Sequence, residues 1–362
     1  MSVKLQGLRK EFGSHVAVPD LNLTIEDGEF FVLLGPSGCG KTTTLRMIAG
    51  LETPSGGKIE IDGVDVTVAE PRKRDIAMVF QDYGLYPHMR VRDNIAFPLK
   101  IRGMDKAARE EKAEEVARRL HIEHLLNRKP PALSGGEKQR VSLARALVRN
   151  PKVFLMDEPL SNLDAKLRIT MRAEIKRLVS DLKITTIYVT HDQIEAMAMA
   201  DRIGVMDKGH MIQVDKPTSI YDHPSNIFVA QFIGSPPMNT YRGHLWRSHQ
   251  LEIAPSFFAT FVEPERLQKI LHNGSEKKDV VVGVRPEDVQ IEAQGPNHFA
   301  VGVVELIEPL GQDTYVYLAV DGSEMIAVTK RSNFRVGETV GIRISSDRIH
   351  LFNGRSGDAY RI

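Results

Sequence analysis

Phe30-Phe31-Val32-Leu33-Leu34-Gly35-Pro36-Ser37-Gly38-Cys39-Gly40-Lys41-Thr42-Thr43-Thr44-Leu45-Arg46-Met47-Ile48-Ala49 is the stretch that decides the fold. Five apolar residues run into a glycine-rich turn, and Leu45 and Ile48 beyond it keep helical spacing. The turn carries G-x-x-x-x-G-K-[ST] at every fixed position, in the strand-before, helix-after context that gives the pattern its meaning. Glycines without Cβ let consecutive backbone N–H groups curl around an anion, and the new helix points its positive end at it. A phosphate cradle is therefore predicted over Gly35, Pro36, Ser37, Gly38, Cys39, Gly40, Lys41, Thr42 and Thr43. Lys41 neutralises the outer phosphates, and the Thr42 hydroxyl holds Mg²⁺. Cys39, beside a helix N-terminus and Lys41, is expected to favour its thiolate and to react with a maleimide.

The chain has 362 residues, enough for two domains, with hydrophobic and charged fractions of 42% and 26% that belong to ordinary globular proteins. Lys and Arg number 48 against 47 Asp and Glu, so no global field recruits nucleic acid or an anionic membrane. The N-terminus lacks the apolar core of a signal peptide, and no apolar run approaches the ~20 residues of a spanning helix. A role at a membrane is then that of a peripheral subunit. One cysteine excludes an internal disulfide framework and fits a reducing cytoplasm.

Along the chain, Val3 to Leu8 and Leu21 to Ile25 alternate as half-buried strands do. Phe12 lies between them, either stacking on a purine or closing the core. Ile59 to Ile61 and Ile76 to Phe80 read as further strands. Gln81 ends the second, either as a Mg²⁺ or water ligand or as a solvated strand end. From Val91 to about Asn150 the texture is helical, with Ala113, Val116, Ala117 and Leu120 on one face. That insertion closes with Leu133-Ser134-Gly135-Gly136-Glu137, where Ser134 can cap a helix whose first N–H groups two glycines leave uncovered. The four residues by themselves read either as a second anion-ready N-terminus or as a plain capped helix.

Val153 to Met156 is a buried parallel strand that delivers Asp157 and Glu158 to the sheet edge where ligands bind. Adjacent strand residues face opposite ways, so one carboxylate serves Mg²⁺ while the other polarises a water. Ser161-Asn162-Leu163-Asp164 leads into an amphipathic helix over Ala165 to Leu182. The next strand, Thr186 to Val189, brings His191 to the same edge, placed for function although a lone histidine is more often structural.

Phosphate loop, Gln81, Leu-Ser-Gly-Gly, Asp157-Glu158, Ser-Asn-Leu-Asp and His191 come in an order and spacing that closely resembles the ATP-binding-cassette ATPases over residues 1 to about 235. Where that family usually has Gln after the second glycine, this chain has Glu137, which bears on the strength of the nucleotide contact. The resemblance implies an α/β fold, a RecA-like phosphate-loop core with a helical signature subdomain at about 87 to 150. It implies ATP and Mg²⁺, with Phe12 stacking on adenine, Thr42, Gln81 and Asp157 around the metal, and Gln81 sensing the membrane partner. Lys41, Gln81, Glu158 and His191 form the catalytic set, with Glu158 as general base and His191 contacting the γ-phosphate. The signature, Leu133, Ser134, Gly135, Gly136 and Glu137, acts in trans on the nucleotide of a second copy, beside the loop Ser161, Asn162, Leu163 and Asp164. One phosphate loop and one signature per chain make a homodimer the complete unit.

Gly234-Ser235-Pro236-Pro237-Met238-Asn239 punctuates the chain, and a second domain is expected over 236 to 362. Val280 to Val284, Val301 to Ile307, Tyr315 to Val320, Met325 to Thr329 and Val340 to Ile344 read as strands of a small all-β barrel of OB-like (TOBE/MOP) type. A helix is expected near Glu263 to Leu271. The tail resembles the accessory domain of bacterial maltose and glycerol-phosphate importer ATPases and serves either a regulator or the dimer. The resemblance thus implies an energy-coupling ATPase on the cytoplasmic face of the inner membrane. It would work with two permease subunits and, indirectly, an extracytoplasmic solute-binding protein, without nucleic acid. Carbohydrate or glycerol phosphate is the expected cargo, and polyamine, sulfate or ferric iron are the transport alternatives. A mechanical ATPase of DNA repair is disfavoured by the absence of a coiled-coil insertion between Lys41 and Ser134, and a translation factor by the single cassette.

Overall fold

Alternating apolar and polar residues build the opening sheet, in which β1 (Val3–Phe12) pairs antiparallel with β2 (His15–Ile25) and buries Val3, Leu5 and Leu8. The computed structural model describes residues 1–246, 250–253, 257–260, 270, 277–293, 300–330 and 333–360. Next along the chain come β3 (Phe30–Leu34), α1 (Lys41–Ala49), β4 (Gly56–Ile61), β5 (Val64–Asp65) and β6 (Ile76–Val79). Three helices follow, α2 (Val91–Ile101), α3 (Lys106–Arg119) and α4 (Gly135–Leu147). Then β7 (Val153–Asp157), α5 (Ala165–Leu182), β8 (Thr185–Thr190), α6 (Gln193–Met199), β9 (Arg202–Asp207) and β10 (His210–Asp215) complete the first compact unit, Met1–Thr218.

Two sheets make this unit. One runs β2-β1-β4-β5, and the other runs β10-β9-β3-β8-β7-β6, parallel except for its β10 edge. Every residue of β3, β7 and β8 is buried, which is why β3 and Val153 to Met156 of β7 read as unbroken apolar runs. Leu33, Leu155 and Val189 from the three strands share one core cluster with Leu45 and Ile48 of α1. The C-terminus of α1 is held by a residue that no motif singles out. Arg74 is buried and donates to Met47 O and Ile48 O at 2.7 and 2.9 Å, two of the last carbonyls of the helix. In the helical insertion, Ala113, Ala117 and Leu120 are buried as their spacing predicts.

The second unit, Ser219–Ile362, takes in most of α7 (Pro217–Asp222) and then α8 (Ile227–Phe232). It continues with β11 (Asn239–Trp246), β12 (Gln250–Ile253), β13 (Phe257–Thr260), β14 (Lys277–Val284) and β15 (Val289–Ala293). Then come β16 (Ala300–Pro309), β17 (Asp313–Val320), β18 (Ser323–Lys330), β19 (Thr339–Ile344) and β20 (Ile349–Asn353). These strands form two five-stranded antiparallel sheets, β13-β12-β11-β14-β20 and β15-β19-β16-β17-β18, around a shared aliphatic core. All five strands expected from the tail are among them.

The compact units divide at 218/219, ahead of the boundary expected at 235. The buried Arg285 supplies a reason, since it donates to Tyr221 O at 2.8 Å, to Ala230 O at 2.9 Å and to Ile233 O, fastening both short helices to the β domain. The helix expected near Glu263 to Leu271 falls on residues outside the described ones, apart from Ile270. Among the described residues no helix is long and apolar enough to cross a membrane.

Candidate active site

Spatial neighbours β3, β8, β7 and β6 end on the same edge of the parallel sheet, the edge where open α/β sheets hold ligands. The phosphate loop follows β3, His191 follows β8, Glu158 follows Asp157 at the end of β7, and Gln81 lies just past β6. The parallel topology alone therefore brings four separated motifs to one place.

Within the loop the glycines have different physical duties. Gly40 sits at φ +104, and a Cβ there would come within 2.9 Å of Ala17 O, so glycine is required on both counts. Gly35 lies so close to Met206 O that a Cβ would overlap it. Gly40 is also the N-cap of α1 and supplies no side chain, leaving the first-turn N–H groups open to an anion. The buried Lys41 ammonium donates to Gly35 O and Pro36 O at 2.8 Å each, anchored at the root of the loop where phosphate oxygens can exchange with these carbonyls. A cavity of about 260 Å³ opens over Ser37, Gly38, Gly40, Lys41, Thr42 and Thr43 and is bounded by Phe12, His15, Ala17 and Glu158.

Phe12 is 47% exposed, with the Lys10 ammonium 4.7 Å from its ring centroid, so it is a cavity wall and not core. His15 and Ala17 were not singled out from sequence, although the two-residue turn Gly13-Ser14 does set His15 opposite Phe12 across the hairpin. Cys39 departs from expectation. Its side chain is buried in the core cluster, and burial pushes its thiol up against the opposing influence of Lys41, 3.8 Å from its sulfur. Proximity to a helix N-terminus and a lysine is outweighed here by desolvation, so ready maleimide labelling is not expected.

The Thr42 hydroxyl donates to Asp157 Oδ1 at 2.9 Å, and burial raises the Asp157 carboxyl while that hydrogen bond opposes the rise. A hydroxyl and a buried carboxylate side by side fit Mg²⁺, a hard cation that takes one or two protein oxygens and completes its shell with phosphates and water. The Gln81 amide makes no hydrogen bond to this pair. Its side chain is exposed, and the Gln81 backbone carbonyl instead accepts from Asn162 Nδ2 at 2.9 Å.

Glu158 is aimed by a backbone feature that strand alternation does not give. The strand ends at Asp157, and Glu158 itself turns to φ +44, left-handed and uncommon for a residue with a Cβ, while its N–H donates to Val189 O at 3.0 Å. The carboxylate reaches His191 Nδ1 at 3.0 Å, with the imidazole about half exposed. Ser161 Oγ donates to Glu158 O at 2.9 Å, and Asp164 caps α5 by accepting from Leu167 N at 2.9 Å.

The signature segment is built as a closed N-terminus. Ser134 Oγ accepts from Glu137 N at 3.4 Å and Glu137 Oε2 accepts from Ser134 N at 2.7 Å, a reciprocal capping box. The Ser134 N–H holds the Glu137 carboxyl below its ordinary value. Leu133 is buried, and the two glycines make room for neighbours as well as exposing backbone. A Cβ on Gly135 would come within 3.1 Å of Leu163, and one on Gly136 within 2.8 Å of Leu167. None of the residues lining the phosphate cavity comes from 133–137. A second cavity of about 410 Å³ lies between core and helical insertion, walled by Phe80, Tyr86 and Phe97 and edged by Arg72, Arg145 and Arg149.

Residues 18–161 match the ABC transporter family, 234–289 the MalK OB fold domain and 282–352 the TOBE domain. The chain is 49% identical to the trehalose/maltose import ATP-binding protein of Thermococcus litoralis, over 99% of each chain. It is 46% identical to an sn-glycerol-3-phosphate import ATP-binding protein of Rhizobium etli over 98% of each, and 47% identical to an oligosaccharides import ATP-binding protein of Bacillus subtilis over 94% of each. A solved dimeric ATP-binding cassette, in a post-hydrolysis state bound to ADP and Pi, aligns with TM-score 0.54 and 33% identity over 59% of this chain and 98% of its own.

Proposed function

The chain belongs to the ATP-binding-cassette transporter ATPases, and from that premise we propose that it is the subunit that hydrolyses ATP to drive carbohydrate or glycerol-phosphate import, with Glu158 and His191 carrying the proton transfer. The relatives above are named for sugar and glycerol-phosphate import, which favours that cargo over polyamine, sulfate or iron. The observation that carries the catalytic reading is the Glu158–His191 contact at 3.0 Å, set beside the phosphate loop by adjacent parallel strands.

In this reading the α1 N-terminus and Lys41 hold the triphosphate, and Phe12 stacks on the purine. Thr42 and Asp157 hold Mg²⁺, which when bound neutralises phosphate charge. Glu158 accepts a proton from the attacking water, while His191 orients that carboxylate through Nδ1. Ser134 and the first turn of α4 come from a second copy, because they line no part of the cavity in their own chain. The 410 Å³ groove receives a permease helix, an assignment supported by its aromatic floor, its arginine rim and its start at Phe80, next to Gln81. In the same reading the ATPase works on the cytoplasmic face with a permease pair and, indirectly, an external solute-binding protein.

The test is Glu158→Gln, which keeps shape and hydrogen bonding but cannot take a proton. ATP affinity should hold while phosphate release falls by about 10²- to 10⁴-fold. Turnover close to wild type removes Glu158 from the role of base.

A further inference from the structure

Arg168 lies in the first turn of α5, near the positive end of the helix, where a cation gains nothing from the helix itself. Its partners lie elsewhere. One terminal nitrogen donates to Leu163 O at 3.2 Å and the other reaches Asp192 Oδ2 at 3.2 Å, while Nε stands 4.0 Å from Glu195 Oε1. Asp192 divides its oxygens, since Oδ1 caps α6 by accepting from Ile194 N and Glu195 N at 2.8 and 3.1 Å, leaving Oδ2 for the guanidinium. Glu195 is buried and accepts from Tyr188 Oη at 2.7 Å and Thr190 Oγ1 at 2.9 Å, and Thr190 Oγ1 in turn accepts from Asp192 N.

His191 is thus bracketed by two residues fixed to this network. On the other side, Leu163 O belongs to the segment whose Ser161 bonds Glu158 O and whose Asn162 bonds Gln81 O. Three hydrogen bonds, Asn162 to Gln81 O, Arg168 to Leu163 O and Arg168 to Asp192, joined by the chain links 162–163 and 191–192, connect Gln81 with His191. A planar fork can serve both branches at once, as a lysine ammonium on a single stem cannot do with the same geometry.

We propose that Arg168 is a positioning residue for hydrolysis, its guanidinium fixing the His191 segment to the 161–164 segment so that His191 and Glu158 keep their alignment. The proposal rests on the reading of Glu158 and His191 as the proton-transfer pair. Docking α5 onto α6 needs only the carboxylates of Asp192 and Glu195; the contact to Leu163 O is the one that joins this dock to the 161–164 segment, whose Ser161 bonds Glu158 O.

The experiment uses the full chain with Arg168→Met, Arg168→Lys, His191→Ala and the Arg168→Met/His191→Ala double variant. It measures melting temperature, binding of a fluorescent ATP analogue and single-turnover phosphate release. Arg168→Met should lower the hydrolytic rate by about 10- to 100-fold, the loss expected when a reacting group is displaced by ~1 Å. Its ATP affinity should stay within about threefold of wild type, the pattern of an interaction that acts on the chemical step. Arg168→Lys, which keeps the charge beside Asp192 but loses one branch, should fold normally and recover only part of the rate. In the His191→Ala background, Arg168→Met should change the residual rate by less than about twofold, since residues that act as a unit are non-additive. Wild-type turnover in Arg168→Lys, an equal loss in both backgrounds, or affinity falling in parallel with rate overturns the proposal. Wild-type turnover in His191→Ala instead overturns the assignment of the site, and the two failures are distinguished by which variant shows them.

Discussion

Helices α1 and α4 both begin after glycine-bearing turns, and both offer a positive N-terminus, yet they are finished in opposite ways. At α1 the N-cap is Gly40, which supplies no side chain, and Lys41, Thr42 and Thr43 face the cavity. At α4 the N-cap Ser134 and Glu137 satisfy each other, placing a carboxylate over the positive end. The first terminus is open to an anion on its own. The second is already neutralised, so it can assist a phosphate brought by another copy but has little reason to bind one unaided. Exposed backbone and available backbone are different things, and the difference lies in one side chain.

That contrast breaks most sharply at Gly40. Gly40→Ala forces a Cβ into a φ of +104 and toward Ala17 O. The strain, about 1–3 kcal/mol, is relieved only by leaving the cradle geometry, so ATP should bind about 5- to 150-fold more weakly by equilibrium titration. A wild-type Kd would show that the open terminus of α1 is not the phosphate site.

Ser134→Ala should act on stability and spare the nucleotide affinity of a single chain. Loss of the cap should cost about 1 kcal/mol in denaturant unfolding. ATP affinity at concentrations where the chain is monomeric should not change. If it fell as in Gly40→Ala, the two termini would be alike after all.

The smallest effect tests charge alone. Glu137→Gln keeps an acceptor for the Ser134 N–H but removes the negative charge, lowering stability near neutral pH by about 0.5 kcal/mol. The folded carboxyl of Glu137 is depressed, so its contribution is present above the unfolded value of about 4.3 and disappears as pH falls through the lower folded value. Stability curves of wild type and Glu137→Gln should therefore converge in acid, and a constant gap down to pH 2 would remove the charge as the cause.

Much of this site was legible because its signals are local. The loop 35–42, the apolar run into Asp157 and the capping residue Ser134 each depend on neighbours within a few positions, and the structure has them as strand, turn and helix start. Periodicity likewise marked Ala165–Leu182 to the residue. The OB-like tail was legible as a rhythm of short strands, but the packing of α7 and α8 with it was not, because Arg285 ties both helices to strands far along the chain.

By itself the sequence determined the residue types, their order and the family, since an anion cradle needs glycines and a lysine at fixed spacing. Tertiary structure alone decided what those residues can do. Strand order β3-β8-β7-β6 puts His191 against Glu158 across 33 positions of sequence, and a left-handed backbone at Glu158 aims the carboxylate. Burial turned Cys39 from an expected thiolate into a core thiol, and Arg168, near Leu163 in the chain, acquired Asp192 and Glu195 from the start of a different helix. Desolvation and long-range hydrogen bonding depend on what surrounds a side chain in space, and linear spacing carries no record of that.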